Sequence, residues 1–334
     1  MANIFQGKNI LVTGGTGSIG SEIVRKVLQY APRVVRVLSN DEHGLFKLEQ
    51  ELQSQPTVRF LVGDVKDKER LSRSVEGIDF IFHAAALKHV PLCEYNPFEA
   101  IKTNVLGTQN VIDVAMEEEV AKLITISTDK AVSPINVMGA TKLLAERLAI
   151  SANYYKGTRK TAFSCVRFGN VLYSRGSVVP LFREQIAKGG PVTITDPNMT
   201  RFVMNISRAV DLVFRVTELA QGGEIFILKM PALRISSLAK AMIDELAPHH
   251  GYNSESIRVE IVGTRTVEKN YEELLTENEA INACETEDMF IISETRKKRE
   301  RKAAPIMRYT SNNRSLLTEE EIREMLREDL PQLL

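Results

Sequence analysis

Apolar residues gather in short β-rich runs at 9–12, 34–38, 58–62, 80–83, 122–127 and 162–168. Between the runs they recur at helical spacing, as in Ile23, Val27 and Leu28 and again in Leu45, Leu48 and Leu52. Strand and helix patterns alternating in this way predict an α/β fold built on a Rossmann-like, doubly wound parallel sheet. Past Asn170 the rhythm loosens. Gly189-Gly190-Pro191 and Asp196-Pro197 punctuate shorter elements as far as Leu275, which predicts a smaller C-terminal lobe able to return a helix or strand to the sheet. Residues 296–302 form a charged run read as a solvated connector, and Thr318 followed by Glu321 has the spacing of a capping box opening a last helix toward Glu328.

Composition narrows the partners. The 334 residues are 43% hydrophobic, enough for a large core. The longest apolar stretches, such as 78–87, are interrupted and far short of the ~20 residues of a spanning helix, and residues 1–12 carry no signal-peptide pattern. The expectation is a soluble, cytoplasmic protein with no membrane partner. Lys plus Arg equals Asp plus Glu at 43 each, so no global field draws in nucleic acid, and an anionic ligand must be held by local cations. Cys93, Cys165 and Cys284 are widely spaced and odd in number, and the histidines, including the pair at 249 and 250, lack ligand spacing; neither a disulfide framework nor a metal is expected.

The segment TGGTGSIG at 13–20 follows the first apolar run and opens a helical pattern. Glycines there permit a tight turn and let the backbone approach a pyrophosphate that rests on the helix N-terminal amides. Gly14, Thr16, Gly17, Ser18, Ile19 and Gly20 are therefore candidate dinucleotide contacts. An acid for the adenosine ribose is expected about 20 residues on. Asp41 stands 41 − 20 = 21 residues past Gly20, beside Asn40, with no arginine at that tip to pair with a 2′-phosphate, which favours NAD over NADP. Asp64 and Val65, after the third run, either meet the adenine or form a plain turn. Ala84, Ala85, Asn104 and Lys142 complete the cofactor candidates.

Residues 127–142 read STDKAVSPINVMGATK, placing Asp129 and Lys130 at the end of an apolar run and Met138 four residues before Lys142 on one helical face. Neighbours on a strand point opposite ways, so Asp129 and Lys130 serve one site only if the chain leaves the strand near Thr128; Pro134 is consistent with that exit. The alternative is a solvated ion pair in a loop.

The glycine spacing, Asn104, the strand ending at Ser127 and Lys142 together resemble the extended short-chain dehydrogenase/reductase superfamily. Within it, ALKHVP at 86–91, STDKAV at 127, NVMGATK at 136, RFGNV at 167, RGSVVPLF at 175 and MTRF at 199 resemble the UDP-N-acetylglucosamine 4,6-dehydratases, over about residues 8–275. The resemblance implies oxidation at sugar C4 by bound NAD, loss of the C5 proton and of the C6 hydroxyl as water, and return of the hydride to C6. It implies Asp129 as the acid, Lys130 as the C5 base and Lys142 as the holder of the nicotinamide ribose. Met138 stands where the superfamily has a tyrosine, and a thioether does not trade protons at neutral pH. The resemblance implies a methionine-bearing subgroup that retains configuration at C5. With the tyrosine role vacant, the hypothesis taken here is that Asp129, relayed through Thr128, takes the C4 proton, the acceptor being otherwise open.

For the nucleotide sugar, the resemblance implies contacts from Lys88, Asn170, Ser177, Val178, Arg201, Arg265 and Glu268. Arg265 and Glu268 lie in RTVEKNYEELL, where the family's Pro-Gly is replaced by Thr266-Val267. The expected organisation is an NAD-binding domain over 1–170, a nucleotide-sugar lobe over 171–290, and a connector with a terminal helix over 291–334. The expected partner is UDP-GlcNAc or a close UDP-sugar, and a homo-oligomer is expected from the superfamily. Three other readings stay open: a nucleotide-sugar 4-epimerase, a C5-inverting dehydratase, and an NAD-sensing scaffold without chemistry.

Overall fold

A computed structural model describes residues 3–264, 266–293 and 306–328 of the chain. In chain order the first elements are β1 (Asn9–Thr13), α1 (Ser18–Leu28), β2 (Val34–Ser39), α2 (Glu42–Glu51), β3 (Val58–Val62), α3 (Lys68–Val75) and β4 (Phe80–His83). There follow α4 (Val90–Tyr95), α5 (Pro97–Ile101), a π-helical turn (Lys102–Leu106), α6 (Gly107–Glu117), β5 (Lys122–Ile126), a 3₁₀ turn (Asp129–Ala131), α7 (Val137–Tyr155) and β6 (Ala162–Arg167). The chain continues through β7 (Asn170–Val171), α8 (Val178–Ala187), β8 (Val192–Ile194), β9 (Thr200–Met204), α9 (Ile206–Leu219), β10 (Ile225–Leu228), β11 (Ala232–Arg234) and α10 (Ile235–Leu246). The last elements are β12 (Val259–Ile261), β13 (Glu273–Leu275), α11 (Glu277–Ala280), β14 (Ala283–Glu285), β15 (Met289–Ile292), β16 (Tyr309–Thr310) and α12 (Glu319–Glu328).

The six apolar runs of the sequence are β1 to β6, with ends shifted by a residue. They lie in a sheet of order β14-β15-β10-β6-β5-β4-β1-β2-β3. Every pair from β10 through β3 is parallel, while β15 and β14 run antiparallel at the far edge. All residues of β4 and of β6 are buried, which is why these segments read as unbroken apolar runs rather than alternating ones. From β1 the chain moves outward to β2 and β3 and then returns to pair β4 on the other side of β1. That reversal leaves a topological switch point between the C-terminal ends of β1 and β4, where doubly wound folds bind ligands. Phe5, Tyr30, Phe82 and Phe214 pack together, with ring centroids 4.9 to 6.1 Å apart; each of the three buried phenylalanines contributes roughly 2–3 kcal/mol by burial.

The chain divides into two compact units. The first comprises Met1–Phe168, Ser207–Lys229 and Thr276–Met307 and holds the large sheet; the second comprises Gly169–Ile206, Met230–Leu275 and Arg308–Leu334. Thus β10 and β14, inside the segment 171–290, and β15, which straddles its end, are strands of the large sheet. The second unit has its own core, with Phe182, Leu238, Met242, Leu246, Ile322 and Leu326 among its members. Its last helix, α12, opens on the expected capping box: Thr318 N donates to Glu321 Oε2 at 2.7 Å and Glu321 N to Thr318 Oγ1 at 3.3 Å. The charged run at 296–302 lies outside the described residues. Among the described residues no helix is long and apolar enough to cross a membrane.

Candidate active site

At the switch point the backbone turns at Gly14 with φ 66°, a conformation that disfavours a side chain. A β-carbon there would also stand 2.7 Å from the Ala85 backbone, so the loops after β1 and β4 touch through residues 14 and 84–85. Thr16 Oγ1 lies 2.7 Å from Ser39 Oγ, which ties the glycine loop to the end of β2. Gly17 caps α1 without a side-chain bond, Ser18, Ile19 and Gly20 form the first turn, and that turn carries no acidic residue. Its amides and the positive end of the helix are therefore suited to an anion.

Asp41, at the tip of β2, caps α2 by accepting Gly44 N at 2.9 Å. Asn40 Nδ2 donates to Asp64 Oδ2 at 3.0 Å, and Asp64 Oδ1 accepts Lys66 N at 2.9 Å, so Asp64 makes the turn after β3 and also bridges to β2. Val65 follows in the same turn. Its side chain is buried beneath Gly107, where a β-carbon would meet Val65 Cγ2 at 2.6 Å, and its carbonyl accepts Asn110 Nδ2 at 3.0 Å. Val65 packs the core under α6.

The chain leaves β5 after Ile126, and residues 129–131 form the 3₁₀ turn. That exit brings Asp129 and Lys130 together, which strand geometry alone would forbid. Asp129 is fully buried. Its Oδ1 accepts Thr128 Oγ1 at 2.8 Å and Lys130 Nζ at 3.0 Å, while Oδ2 is buried with no hydrogen-bond partner among the described residues. Thr128 and Lys130 are half-buried, so they form the accessible edge of this carboxyl. The Asp129 amide donates to Phe168 O at 3.0 Å, which anchors the turn to the chain just past β6.

Helix α7 begins against this turn. Asn136 caps it by accepting Gly139 N at 2.8 Å, and Glu94 Oε1 accepts Val137 N at 2.6 Å. One helical turn in, Lys142 is buried and donates to Ile126 O, the last carbonyl of β5, at 2.6 Å. Burial pulls the Lys142 ammonium below the usual lysine range, with Cys165 and then Glu146 acting in the opposite direction. Glu146 is held by Arg167 through two bonds of 3.0 and 2.7 Å, and Arg167 also donates to both oxygens of Glu279 at 3.1 Å. Met138, four residues earlier, is buried in an apolar cluster with Cys93 and Ala100, flanked by Val90 and Val137.

Asn104 falls in the π-helical turn and is buried. Its Oδ1 accepts Leu87 N at 2.8 Å, and its Nδ2 donates to Leu87 O at 2.9 Å and to Thr141 Oγ1 at 3.0 Å. Both amide hydrogens are thus engaged. The side chain clamps the loop that carries exposed Lys88. Gly139 and Arg167 lay inside the NVMGATK and RFGNV motifs with no role assigned to them, and Glu146, a helical turn past Lys142, and His83 were not singled out.

In the second unit, Asn170 begins β7, Ser177 caps α8 and Val178 opens it, with Ser177 Oγ buried and making no hydrogen bond among the described residues. Arg201, expected as a phosphate cation, is buried on β9. It donates to Thr200 O at 2.8 Å, and its guanidinium lies 3.6 Å from Glu268 and 3.8 Å from Glu272. Two carboxylates compensate it, so in this arrangement it is an internal ion cluster rather than an uncompensated cation. Arg265 lies outside the described residues.

Residues 10–294 match the family model described as polysaccharide biosynthesis protein. The chain is 59% identical to an uncharacterized membrane protein of Methanocaldococcus jannaschii, covering 98% of each. It is 44% identical to the UDP-N-acetylglucosamine 4,6-dehydratase (inverting) of Campylobacter jejuni, covering 87% of this chain and 84% of the relative. Identity to the UDP-glucose 4-epimerase of Rickettsia rickettsii is 39%, covering 97% and 96%. Among solved structures, Pen from Bacillus thuringiensis superposes with a TM-score of 0.91 at 45% identity, covering 97% of this chain and 98% of Pen. DesIV of Streptomyces venezuelae, a dTDP-glucose 4,6-dehydratase solved with NAD bound, gives 0.70 at 25%, covering 78% and 86%. The chain therefore belongs to the polysaccharide biosynthesis protein family, among the extended short-chain dehydrogenase/reductase enzymes of the nucleotide-sugar dehydratase and epimerase type.

Proposed function

We propose that the protein catalyses the NAD-dependent 4,6-dehydration of UDP-N-acetylglucosamine to UDP-2-acetamido-2,6-dideoxy-α-D-xylo-hexos-4-ulose and water, with configuration at C5 retained. The observation that carries this reading is the Asp129 carboxyl, fully buried, with one oxygen shared by Thr128 and Lys130 and the other without a hydrogen bond among the described residues.

The residues at the switch point fit a dinucleotide. The Gly14 turn, the acid-free first turn of α1 and the Asp41 tip of β2 would hold the pyrophosphate and adenosine ribose, and Lys142 the nicotinamide ribose. Asp41 with no arginine beside it supports NAD over NADP. When bound, the cofactor supplies the place for the C4 hydride until that hydride returns at C6.

Proton transfers fall to the chain. Because Asp129 is fully buried and Thr128 is half-buried, the C4 hydroxyl proton passes to Thr128 Oγ1 as the Thr128 hydrogen moves onto Asp129 Oδ1. Lys130, acting as the free amine, takes the C5 proton. Asp129 then gives up its proton to the departing C6 hydroxyl, which leaves as water, and Lys130 returns the C5 proton to the face it came from. Both groups end each turnover as they began. Inversion would need a second proton carrier on the opposite face, and the tyrosine position holds Met138 in an apolar cluster.

The epimerase reading has the Rickettsia relative in its favour. An epimerase has no departing hydroxyl to protonate, however, and so no use for a buried acid coupled to a lysine. The test is incubation with UDP-GlcNAc and no added cofactor, read by mass spectrometry and proton NMR. Loss of one water with D-xylo signals is expected. The L-arabino product would overturn retention, UDP-GalNAc would establish the epimerase, and unchanged sugar with NAD bound would leave the scaffold reading.

A further inference from the structure

His83 is the last residue of β4 and is buried, yet it is not among the groups that move protons in the proposed reaction. Its Nδ1 lies 2.7 Å from Thr13 Oγ1, at the end of β1, and its Nε2 lies 2.9 Å from Thr108 Oγ1 in α6. Thr108 Oγ1 donates its hydrogen to Asn104 O at 2.7 Å. A hydroxyl has one hydrogen to give, so toward His83 it must accept. His83 therefore carries its hydrogen on Nε2, and Nδ1 accepts from Thr13. The Asn104 side chain continues the series to Leu87 N, Leu87 O and Thr141 Oγ1, and Thr141 Oγ1 donates to Met138 O at 2.8 Å. Hydrogen bonds and the Asn104 residue thus run without a break from the strand that ends in the glycine loop to the 86–89 loop and the first turn of α7.

We propose that His83 is a positioning residue: a neutral imidazole in its Nε2–H form that ties β1 to the π-helical turn and so fixes the Asn104 clamp on the Leu87–Lys88 backbone. The π turn explains why such a tie is needed. Its wider winding departs from the regular ladder, and the bond from Thr108 to Asn104 O holds the offset that aims Asn104 at Leu87. Burial, and behind it the charge of nearby Lys142, lowers the imidazole to about 3, so it stays neutral across the physiological range. The benefit to sugar binding through Lys88 rests on the dehydratase reading; the clamp itself does not.

Hydrogen exchange at the Leu87 amide, measured by NMR on the full chain without substrate, reads the clamp directly. His83→Asn keeps a group near Thr13 but cannot reach Thr108, whereas His83→Gln can. Thr108→Val removes the same link from the other side, and Thr108→Ser restores it. His83→Asn and Thr108→Val should speed Leu87 exchange about tenfold, the equivalent of one net hydrogen bond, while His83→Gln and Thr108→Ser leave it near the parent rate. The His83 ring ¹⁵N shifts should report the Nε2–H tautomer, unchanged from about pH 5 to 8. Unchanged Leu87 exchange in folded Thr108→Val, or a His83 ring that is Nδ1–H or titrates in that range, would overturn the proposal. Should His83→Asn fail to fold, the Thr108 pair decides. Faster Leu87 exchange in a protein that leaves UDP-GlcNAc untouched would refute the dehydratase reading and keep the clamp.

Discussion

A β-carbon on Gly139 would stand 2.2 Å from the carbonyl oxygen of Lys130. The first turn of α7 and the Asp129–Ala131 turn can therefore lie in contact only because residue 139 has no side chain. Through this contact the helix that carries Lys142 and the turn that carries Asp129 and Lys130 share one geometry.

Gly139→Ala tests that geometry. In an exposed helix the change would stabilise by about 0.5–1 kcal/mol. Here it must push the 129–131 turn away, and a shift on the order of 1 Å at catalytic groups costs about 10²-fold in rate. We expect turnover to fall by roughly that factor while the melting temperature drops by only a few degrees; a Gly139→Ala enzyme with parental turnover would contradict the contact's importance.

Asp129→Asn and Thr128→Val should each lower turnover by about 10²–10⁴, with NAD still retained through gel filtration. Thr128→Ser keeps the hydroxyl that bonds Asp129 Oδ1 and should stay within about tenfold of the parent. If valine and serine at 128 behave alike, Thr128 is not the relay.

The Glu146–Arg167–Glu279 cluster is buried at Arg167 and Glu146, and Glu279 is largely covered. Removing one partner of a buried pair strands the other charge, at a cost of about 3–5 kcal/mol. Urea unfolding should show Glu146→Gln and Arg167→Met losing about that much, and Glu279→Gln less, because its side chain reaches solvent. A loss under about 1 kcal/mol for Arg167→Met would mean the cluster contributes little beyond packing.

His83 makes stability depend on acid. Its native value of about 3 lies below the ordinary 6.5, so under pH 6.5 the unfolded chain takes up a proton that the native one refuses. This contribution is intact above pH 6.5 and is lost as pH falls toward 3, by about 4–5 kcal/mol at ~1.4 kcal/mol per pH unit. His83→Gln should flatten that part of the pH–stability curve. Parallel curves for the two proteins would show that His83 takes up its proton without cost.

Much of the sheet was legible because each of β1 to β6 is a short apolar run bounded by polar or turn residues, a pattern local enough to read along the chain. β10, β14 and β15 were not, since a four-residue run such as Ile225–Leu228 does not announce which strand it will pair. The Asp129–Lys130 exit could be stated only as a condition, because alternation along a strand forbids the pair to face one way unless the chain leaves it. Arg201 was legible as a charge but not as a compensated one, because Glu268 and Glu272 reach it only through folding. The same holds for Asn104, whose clamp partner Leu87 lies in a different loop.

By itself, then, the sequence determined the α/β class and the glycine turn for a dinucleotide, since residue type and spacing suffice for each, while the roles given to Asp129, Lys130 and Lys142 in the 127–142 strip rest on the family resemblance. Only the tertiary structure decided that Asp129 is fully buried beside Thr128 and Lys130, that Met138 packs with Cys93 and Ala100, and that His83 bridges Thr13 and Thr108. Those outcomes depend on which distant groups exclude water from a side chain and which polar atoms then remain to bond it.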